Sequence, residues 1–396
     1  MKTQDEINAL LDKCKNIAFH KDILAEFDEE ITRRGFVGST SIPKLAYLAF
    51  LTSAQQRPVS MVIKGPSGSG KSFSLTAAMQ FVPEFAYQQF EGMSEKALVY
   101  LPNLDLKHKH LVIGEAAGLA EGEGRSLLRQ LLSEDRVRYA TVQSTDKEGL
   151  TGKELPILEG PTGLIMTTTA NGLHPEDESR MLSVSIPESQ ELIGQALMAQ
   201  ALGAGKPREP IDKEVWHSLF EYAQASNAPV IIPYLPEIAK RLPRTHDRIK
   251  RDFPQLISLI SAHALLHSCT RPRGEDGSII ATVDDYAAVR ELTNEPLSQG
   301  LAVTVSDSIK EVVEGVRKCL EEPRKGQEAV GISQTKLAEF LKRDPSVVSR
   351  NVKKALEEGY LQNANPGQGR EARLTLGELK LPSGSILPTV EQIVAT

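Results

Sequence analysis

The chain has 396 residues, 40% of them hydrophobic, and a formal net charge of −6 from 46 basic and 52 acidic side chains. That length exceeds one ordinary core and points to roughly two to four domains, while the acidic balance excludes a uniformly basic protein, so any nucleic-acid contact must be a local patch. Three cysteines, Cys14, Cys269 and Cys319, stand far apart without a C-x-x-C pair, which excludes a zinc ribbon and a disulfide framework. No stretch approaches ~18 uninterrupted apolar residues, and the first residues lack a signal-peptide apolar core, so a cytoplasmic protein without a membrane partner is expected.

Residues 1–40 are acidic and helical in pieces, with Ile7, Leu10 and Leu11, then Ile23, Leu24, Phe27 and Ile31, at helix-compatible spacing. An apolar helix over 42–51, which Pro43 can start, comes next. The apolar run 59–63 reads as a buried strand and leads into Gly65, Pro66, Ser67, Gly68, Ser69, Gly70, Lys71 and Ser72, which fit the phosphate-binding pattern G-x-x-x-x-G-K-[ST]. Glycines let the backbone wrap phosphate oxygens, amide N–H groups point inward, and the helix expected over 72–79 adds its positive end. Lys71 would reach the β- and γ-phosphates of ATP and Ser72 would hold Mg²⁺.

Residues 85–90 read as a short strand, and Ser94 as the cap of a helix running to about Tyr100. The apolar run 111–113 is a second buried strand that ends at Gly114 and Glu115. An acidic residue at this place in phosphate-loop ATPases holds the Mg²⁺ shell, and a following Glu polarises the attacking water. Glu115 is placed for that work and, with Gly114 before it, either does both jobs or shares one with a distant carboxylate. A helix over 124–133 puts Leu127, Leu128, Leu131 and Leu132 on one face. The period then changes to two over 136–142, residues 146–149 are turn chemistry, and 153–158 return as a partner strand, giving a β-hairpin with Lys147 at its tip. Such a tip either grips a nucleic-acid backbone or is a solvated turn.

A third strand over 163–171 ends in Thr169 and Asn171, candidates to bond the γ-phosphate or the attacking water. Arg180 precedes an edge strand at 181–186; it either enters a neighbouring subunit's ATP site or pairs with Glu176 or Glu178. From about residue 190 helices dominate, with a short strand at 230–232 and a strongly periodic helix from Phe253 to Leu265 whose first turn tolerates Pro254. Arg248 and Arg251 lie at its entrance, where a helical lid contributes cations to phosphates. Residues 306–380 look separate: an amphipathic helix, a break at 322–326, a second helix around Leu337, and a third from Pro345 that Gly359 caps. Val348, Val352, Ala355 and Leu356 share its apolar face, leaving Ser346, Ser349, Arg350, Lys353 and Lys354 outward, toward DNA or toward a docked protein.

In this order the parts resemble the AAA+ superfamily, and within it the minichromosome-maintenance-like replicative helicases of bacterial mobile elements and phages. The resemblance is carried by GPSGSGKS (65–72), HLVIGEAAGL (110–119), RVRYATV (136–142), GPTGLIMTTTANGLHPEDESRML (160–182) and RDFPQLISLISAHALLH (251–267). It implies an α/β fold: an AAA+ P-loop NTPase core of three αβα layers, a helical lid and a C-terminal winged helix-turn-helix domain. The expected boundaries are an N-terminal helical segment 1–40, ATPase core 41–189, lid 190–305, winged helix 306–380 and tail 381–396. It further implies a homo-oligomeric ring, usually hexameric, with ATP between subunits, Lys147 toward the pore and Arg180 serving the next subunit, and a primase or other replication protein supplied separately. The expected activity is that of an ATP-hydrolysing DNA helicase; a DNA-binding ATP switch that loads other proteins without unwinding is the competing reading, and a small-molecule kinase shares only the phosphate loop.

Overall fold

The computed structural model of the protein describes residues 2–94, 96–114, 122–145, 149–169, 175–187, 189–203, 210–225, 228–244, 247–321, 331–367, 372–378, 381 and 385–394. It divides into two compact units, one of Met1–Leu242, Arg248–Leu297 and Leu387–Thr396, the other of Pro243–Asp247 and Ser298–Ile386.

The first unit opens with α1 (Gln4–Ala18), whose start is a capping box: Thr3 Oγ1 accepts from the Glu6 amide at 3.3 Å, and Glu6 Oε2 accepts from the Thr3 amide at 2.7 Å. Next come α2 (Ile23–Arg33), α3 (Ser41–Leu51), β1 (Met61–Lys64), α4 (Lys71–Met79), β2 (Tyr87–Phe90), the single turn α5 (Ala97–Tyr100), β3 (Lys109–Ile113) and α6 (Gly122–Glu134). The chain continues through β4 (Arg136–Val137), β5 (Ala140–Thr145), β6 (Gly149–Glu154), β7 (Leu158–Glu159), β8 (Thr162–Thr168), α7 (Pro175–Glu178) and β9 (Leu182–Ser185). Five of these strands form one parallel sheet in the order β2-β3-β8-β1-β9, flanked by helices. Met61, Val62 and Ile63 of the inner strand β1 are all buried, as a strand covered on both faces requires.

One core cluster joins β1, β3 and β8 to α6 through Val62, Leu111, Ile113, Leu127, Leu131 and Leu164. A second packing centre is aromatic. Phe81 lies 4.4 Å from Phe27 of α2 and 4.9 Å from Trp216, measured between ring centroids, with Tyr47 of α3 6.2 Å from Trp216. Trp216 belongs to α9 (Lys213–Ala225), which also packs on α1. Residues 1–40 and α9 are thus part of the same unit as the sheet.

The periodic run at 136–142 is divided between two ladders. Arg136 pairs with Glu159 and Val137 with Leu158, whereas Ala140 pairs with Glu154 and Thr141 with Lys153. Pro156 has no N–H to donate, so the ladder cannot continue through it; the Leu155 amide bridges the gap, to Tyr139 O at 2.9 Å. Ser94 does not cap a helix side-on; its carbonyl accepts from Ala97, where the turn α5 begins.

After α8 (Gln190–Gly203) and α9 come β10 (Val230–Ile231), α10 (Leu235–Arg241), α11 (Ile249–Leu266), β11 (Ile279–Ile280) and α12 (Val283–Thr304), with β10 and β11 paired in parallel. Helix α11 starts four residues before Phe253, so Pro254 stands inside it and not at its entrance. Helix α12, 22 residues long, occupies a stretch for which the sequence offered no element. The chain's last described segment returns to α12: Pro388 O accepts from Tyr286 Oη at 2.7 Å and from Arg290 Nε at 2.8 Å. Among the described residues no helix is long and apolar enough to cross a membrane.

The second unit comprises α13 (Asp307–Glu321), α14 (Gln334–Leu341), α15 (Pro345–Glu357), β12 (Leu361–Asn363) and β13 (Leu374–Leu376). β12 and β13 are antiparallel, and Ile332 joins β13 from the other side through two backbone bonds with Leu374 of 2.9 and 2.8 Å. Val312, Val316, Leu337, Val348, Val352 and Leu374 fill the centre.

Two buried histidines make the first unit acid-sensitive. His110 Nε2 donates to Val59 O at 3.0 Å, and burial pushes its pKa down to about 4. His267 Nδ1 donates to His263 O at 3.0 Å while Nε2 accepts from the Ile23 amide at 3.1 Å; burial, with His263 beside it, pushes it down to about 3. His267 must stay neutral for Nε2 to accept, and His110 is kept neutral by its burial, its Nδ1 being buried with no partner among the described residues. As pH falls below the unfolded value near 6.5, the unfolded chain therefore takes up protons first and stability is lost down to about pH 3–4. Asp252, which burial pushes up to about 6 against the pull of Arg248, opposes this below pH 6. Two groups outweigh one, so a net loss on the order of a few kcal/mol is expected between pH 7 and 4.5. Thermal melts across that range check it; a flat midpoint would contradict it.

Candidate functional site

Because the five strands run parallel, their C-terminal ends form one edge, and the polar residues that the sequence singled out follow those ends. Lys64 is in register with Thr168 on one side and Ser185 on the other, while Ile113 faces Met166 and Phe90 faces Ile113. The phosphate-binding pattern thus begins where β1 stops, Thr169 stands exposed just past β8, and Gly114 sits just past β3. In open parallel sheets this edge is where ligands bind.

Loop geometry suits an anion. Gly68 and Gly70 take φ of 82° and 92°, a region that disfavours side chains. Gly70 is the N-cap of α4, and no side chain caps that helix, so its first-turn amides are left to an external acceptor. Ser69 Oγ is buried with no hydrogen-bond partner among the described residues. Lys71, a residue only 8% exposed, donates from its ammonium to the loop's own carbonyls, to Gly65 O at 2.8 Å and Pro66 O at 2.6 Å. A phosphate oxygen is a stronger acceptor than an amide carbonyl, so a bound polyphosphate competes for this lysine directly. Ser72 is exposed, free to turn toward a cation. These residues fit a nucleoside triphosphate with Mg²⁺.

At Gly114 a side chain would crowd the end of β2. A Cβ there would come within 2.8 Å of Glu91 Oε2 and 3.2 Å of Glu91 O. Glu91, just past β2, therefore brings a carboxylate to the place from which one is missing. In the sequence its one signal is a glutamate that follows Phe90 at a strand end. The Thr167 hydroxyl donates to Gly114 O and ties β8 to the same point. Glu115 and Asn171 lie outside the described residues, as does Lys147.

Residues 176–180 touch three elements. Arg129 of α6 pairs with Glu176 at 2.7 Å and Asp177 at 2.5 Å, Glu178 pairs with Lys64 at 2.6 Å, and Arg251 of α11 donates to Ser179 Oγ. Arg180 donates from Nε to Ser133 Oγ at 3.0 Å and from Nη1 to Glu176 O at 2.6 Å, with Glu176 Oε1 3.6 Å away. Within one chain it therefore has the local partner that the sequence offered, Glu176, whereas Glu178 is committed to Lys64. Burial and the neighbouring Arg251 both lower its pKa. Arg248 is buried and paired with Asp252 at 3.1 Å, leaving Arg251 as the exposed cation of the two.

In the hairpin, β5 and β6 pair only with each other among the described residues, and Val142 is 64% exposed. The hairpin is tied to α5 by Tyr100 Oη donating to Thr141 Oγ1 at 2.8 Å.

On α15, Asp344 accepts from the Ser346 amide at 2.8 Å and starts the helix. Val348, Val352 and Ala355 are buried, and Ser346, Ser349, Arg350, Lys353 and Lys354 are all exposed. Lys353 has a weak partner in Glu357 at 3.9 Å.

His263, His267 and Asp285 are close enough to suggest a metal, but their bonds are already assigned. His267 uses both nitrogens, and Asp285 receives His263 at 2.6 Å, Arg271 at 2.7 Å and the Thr282 amide at 2.7 Å. Although burial opposes ionisation, the bonds from His263 and Arg271 hold Asp285 down at about 2. The cluster locks α2, α11 and α12 together.

Replacing Gly114 by Ala turns the exposed Glu91 carboxylate aside and presses on Glu91 O at 3.2 Å, so a small loss of about 1 kcal/mol or less is expected from denaturant unfolding; a loss of several kcal/mol would contradict it. In sequence comparison, neither a protein-family model nor a curated protein matches the chain.

Proposed function

We propose that the protein is an AAA+ ATPase of the replicative-helicase type, a ring that hydrolyses ATP and moves along DNA in the replication of a mobile element or phage. The observation that carries this reading is the place of the phosphate loop: it leaves β1, flanked by β8 and β9 in the sheet order β2-β3-β8-β1-β9, with its lysine parked on the loop's own carbonyls. Bound MgATP would supply the phosphoanhydride bond whose cleavage by water drives movement. Lys71 and the first-turn amides of α4 hold the phosphates, Ser72 holds the cation, and Glu115 orients and deprotonates water, with Glu91 as the nearby second carboxylate. Thr169 and Asn171 bond the γ-phosphate side. Arg251 from α11 reaches the phosphates of its own subunit, and Arg180 swings from Ser133 to stabilise charge in the site of the next.

The second unit is read as a winged helix-turn-helix: α14 and α15 with a tight turn, Ile332, β12 and β13 as a small sheet, and the 364–373 connection as the wing. Exposed Arg350, Lys353 and Lys354 give α15 the charge to follow phosphates, with Ser346 and Ser349 beside them. Lys147 at the hairpin tip would follow the strand in the ring's pore.

Lys71→Ala is expected to abolish ATP hydrolysis and strand displacement of a forked DNA together; unwinding that survives would refute the helicase reading. DNA-stimulated hydrolysis without unwinding in the unaltered protein, insensitive to Lys147→Ala, would support the competing ATP switch. Removing Arg350, Lys353 and Lys354 is expected to reduce the slope of log affinity against log salt by about one per lost phosphate contact, measured by fluorescence anisotropy; an unchanged slope would place DNA elsewhere.

A further inference from the structure

Lys64 is the last residue of β1, and its side chain is only 13% exposed, its partner Glu178 3%. Burying a charge at the lip of the phosphate loop is costly unless it is paired, and at 2.6 Å the pair is close. Lys64 itself cannot drift: its strand is held on both sides, and its carbonyl accepts from the Ile186 amide at 2.9 Å. Glu178 directly precedes Ser179 and Arg180. The phosphate loop and the arginine-bearing segment are therefore joined by a buried charge pair, one residue from the loop at one end and two residues from Arg180 at the other.

The loop end of this link has one arrangement in this structure and would have another with phosphate bound. In the first, Lys71 bonds Gly65 O and Pro66 O; in the second it would bond phosphate and release those carbonyls, the first of which belongs to the residue after Lys64. At the far end Arg180 sits beside the like-charged Arg251 and is held by Ser133 and a backbone carbonyl, a position that small movements of residues 176–179 can alter. A link of this kind transmits occupancy because both ends bias the same packed element.

We propose that the Lys64–Glu178 pair is the coupling element through which phosphate occupancy of the loop in one subunit sets the position of the arginine that this subunit offers to the next. Lys64 and Glu178 are positioning residues and touch no nucleotide. The inference rests on the nucleotide reading above and adds its regulation: each site's state is passed on through the chain that built it.

The test is hydrogen exchange of the amides at 176–186 with and without a slowly hydrolysed ATP analogue and Mg²⁺, alongside calorimetric binding of that analogue. In the unaltered protein the analogue is expected to change exchange there. Glu178→Gln is expected to remove the response while leaving binding intact. If that variant does not fold, Lys64→Met combined with Glu178→Met replaces the pair with apolar side chains of similar length, and the reversed pair, Lys64→Glu with Glu178→Lys, is expected to restore the response. Dependence of hydrolysis on ATP concentration should turn from cooperative to hyperbolic, with the site-to-site effect of about 5- to 150-fold lost. An unaltered protein that binds the analogue with no change at 176–186, or a paired-Met variant that keeps the full response, overturns the coupling. An unaltered protein that binds no analogue overturns the nucleotide reading itself, and the two failures are told apart by the calorimetry.

Discussion

Parallel pairing of β1 with β8 and β9 is the constraint on which the rest of the first unit depends. It fixes Lys64 beside Thr168 and Ser185 and so brings the phosphate loop, the end of β8 and the segment after α7 to one edge. None of these pieces carries a complete site alone. A strand buried on both faces must spend its length on apolar residues, so its polar chemistry appears only where it ends. That is why the loop, Gly114, Thr169 and Glu91 all fall at strand ends although they lie far apart in the chain.

The edge is stabilised from behind by packing that has no part in the chemistry. Phe27, Tyr47, Phe81 and Trp216 bring α2, α3 and α9 together under the sheet. His267 carries the Ile23 amide, and Asp285 gathers His263, Arg271 and Thr282. These buried polar groups are satisfied by one another, which gives a fixed arrangement at the cost of sensitivity to acid. In the second unit the same logic is simpler: an apolar triad of helices closed by a small sheet leaves one face of α15 charged.

Charge at the site follows a graded pattern. Lys64 and Glu178 are buried and committed to each other; Arg129 is shared between Glu176 and Asp177; Arg180 is bound through a hydroxyl and a carbonyl with Glu176 Oε1 at 3.6 Å, and Arg251 through the Ser179 hydroxyl. The last two are the cheapest to redirect, since a guanidinium holds a neutral hydroxyl or carbonyl less strongly than it holds a charged, bidentate acceptor such as phosphate. A site built this way keeps its frame while offering mobile cations to an incoming anion.

The phosphate loop, the three buried strands of the core, the edge strand at 181–186 and the charged face of α15 were legible in the residues, because each is specified by local spacing: glycines at a fixed interval, short apolar runs, apolar positions three and four apart. Local spacing was silent where long-range contacts decide. The run at 136–142 looks like one strand, and only Pro156 across the ladder breaks it in two. Helix α12 shows little amphipathic contrast and carries Pro296, yet it forms because Tyr286, Arg290 and Asn294 find partners in the chain's last segment. Local spacing offers Glu178 as a partner for Arg180, its neighbour two residues on, but β1 delivers Lys64 to it at 2.6 Å. Sequence determined which residues bear the chemistry; the register of the sheet, a non-local property, decided which of them meet.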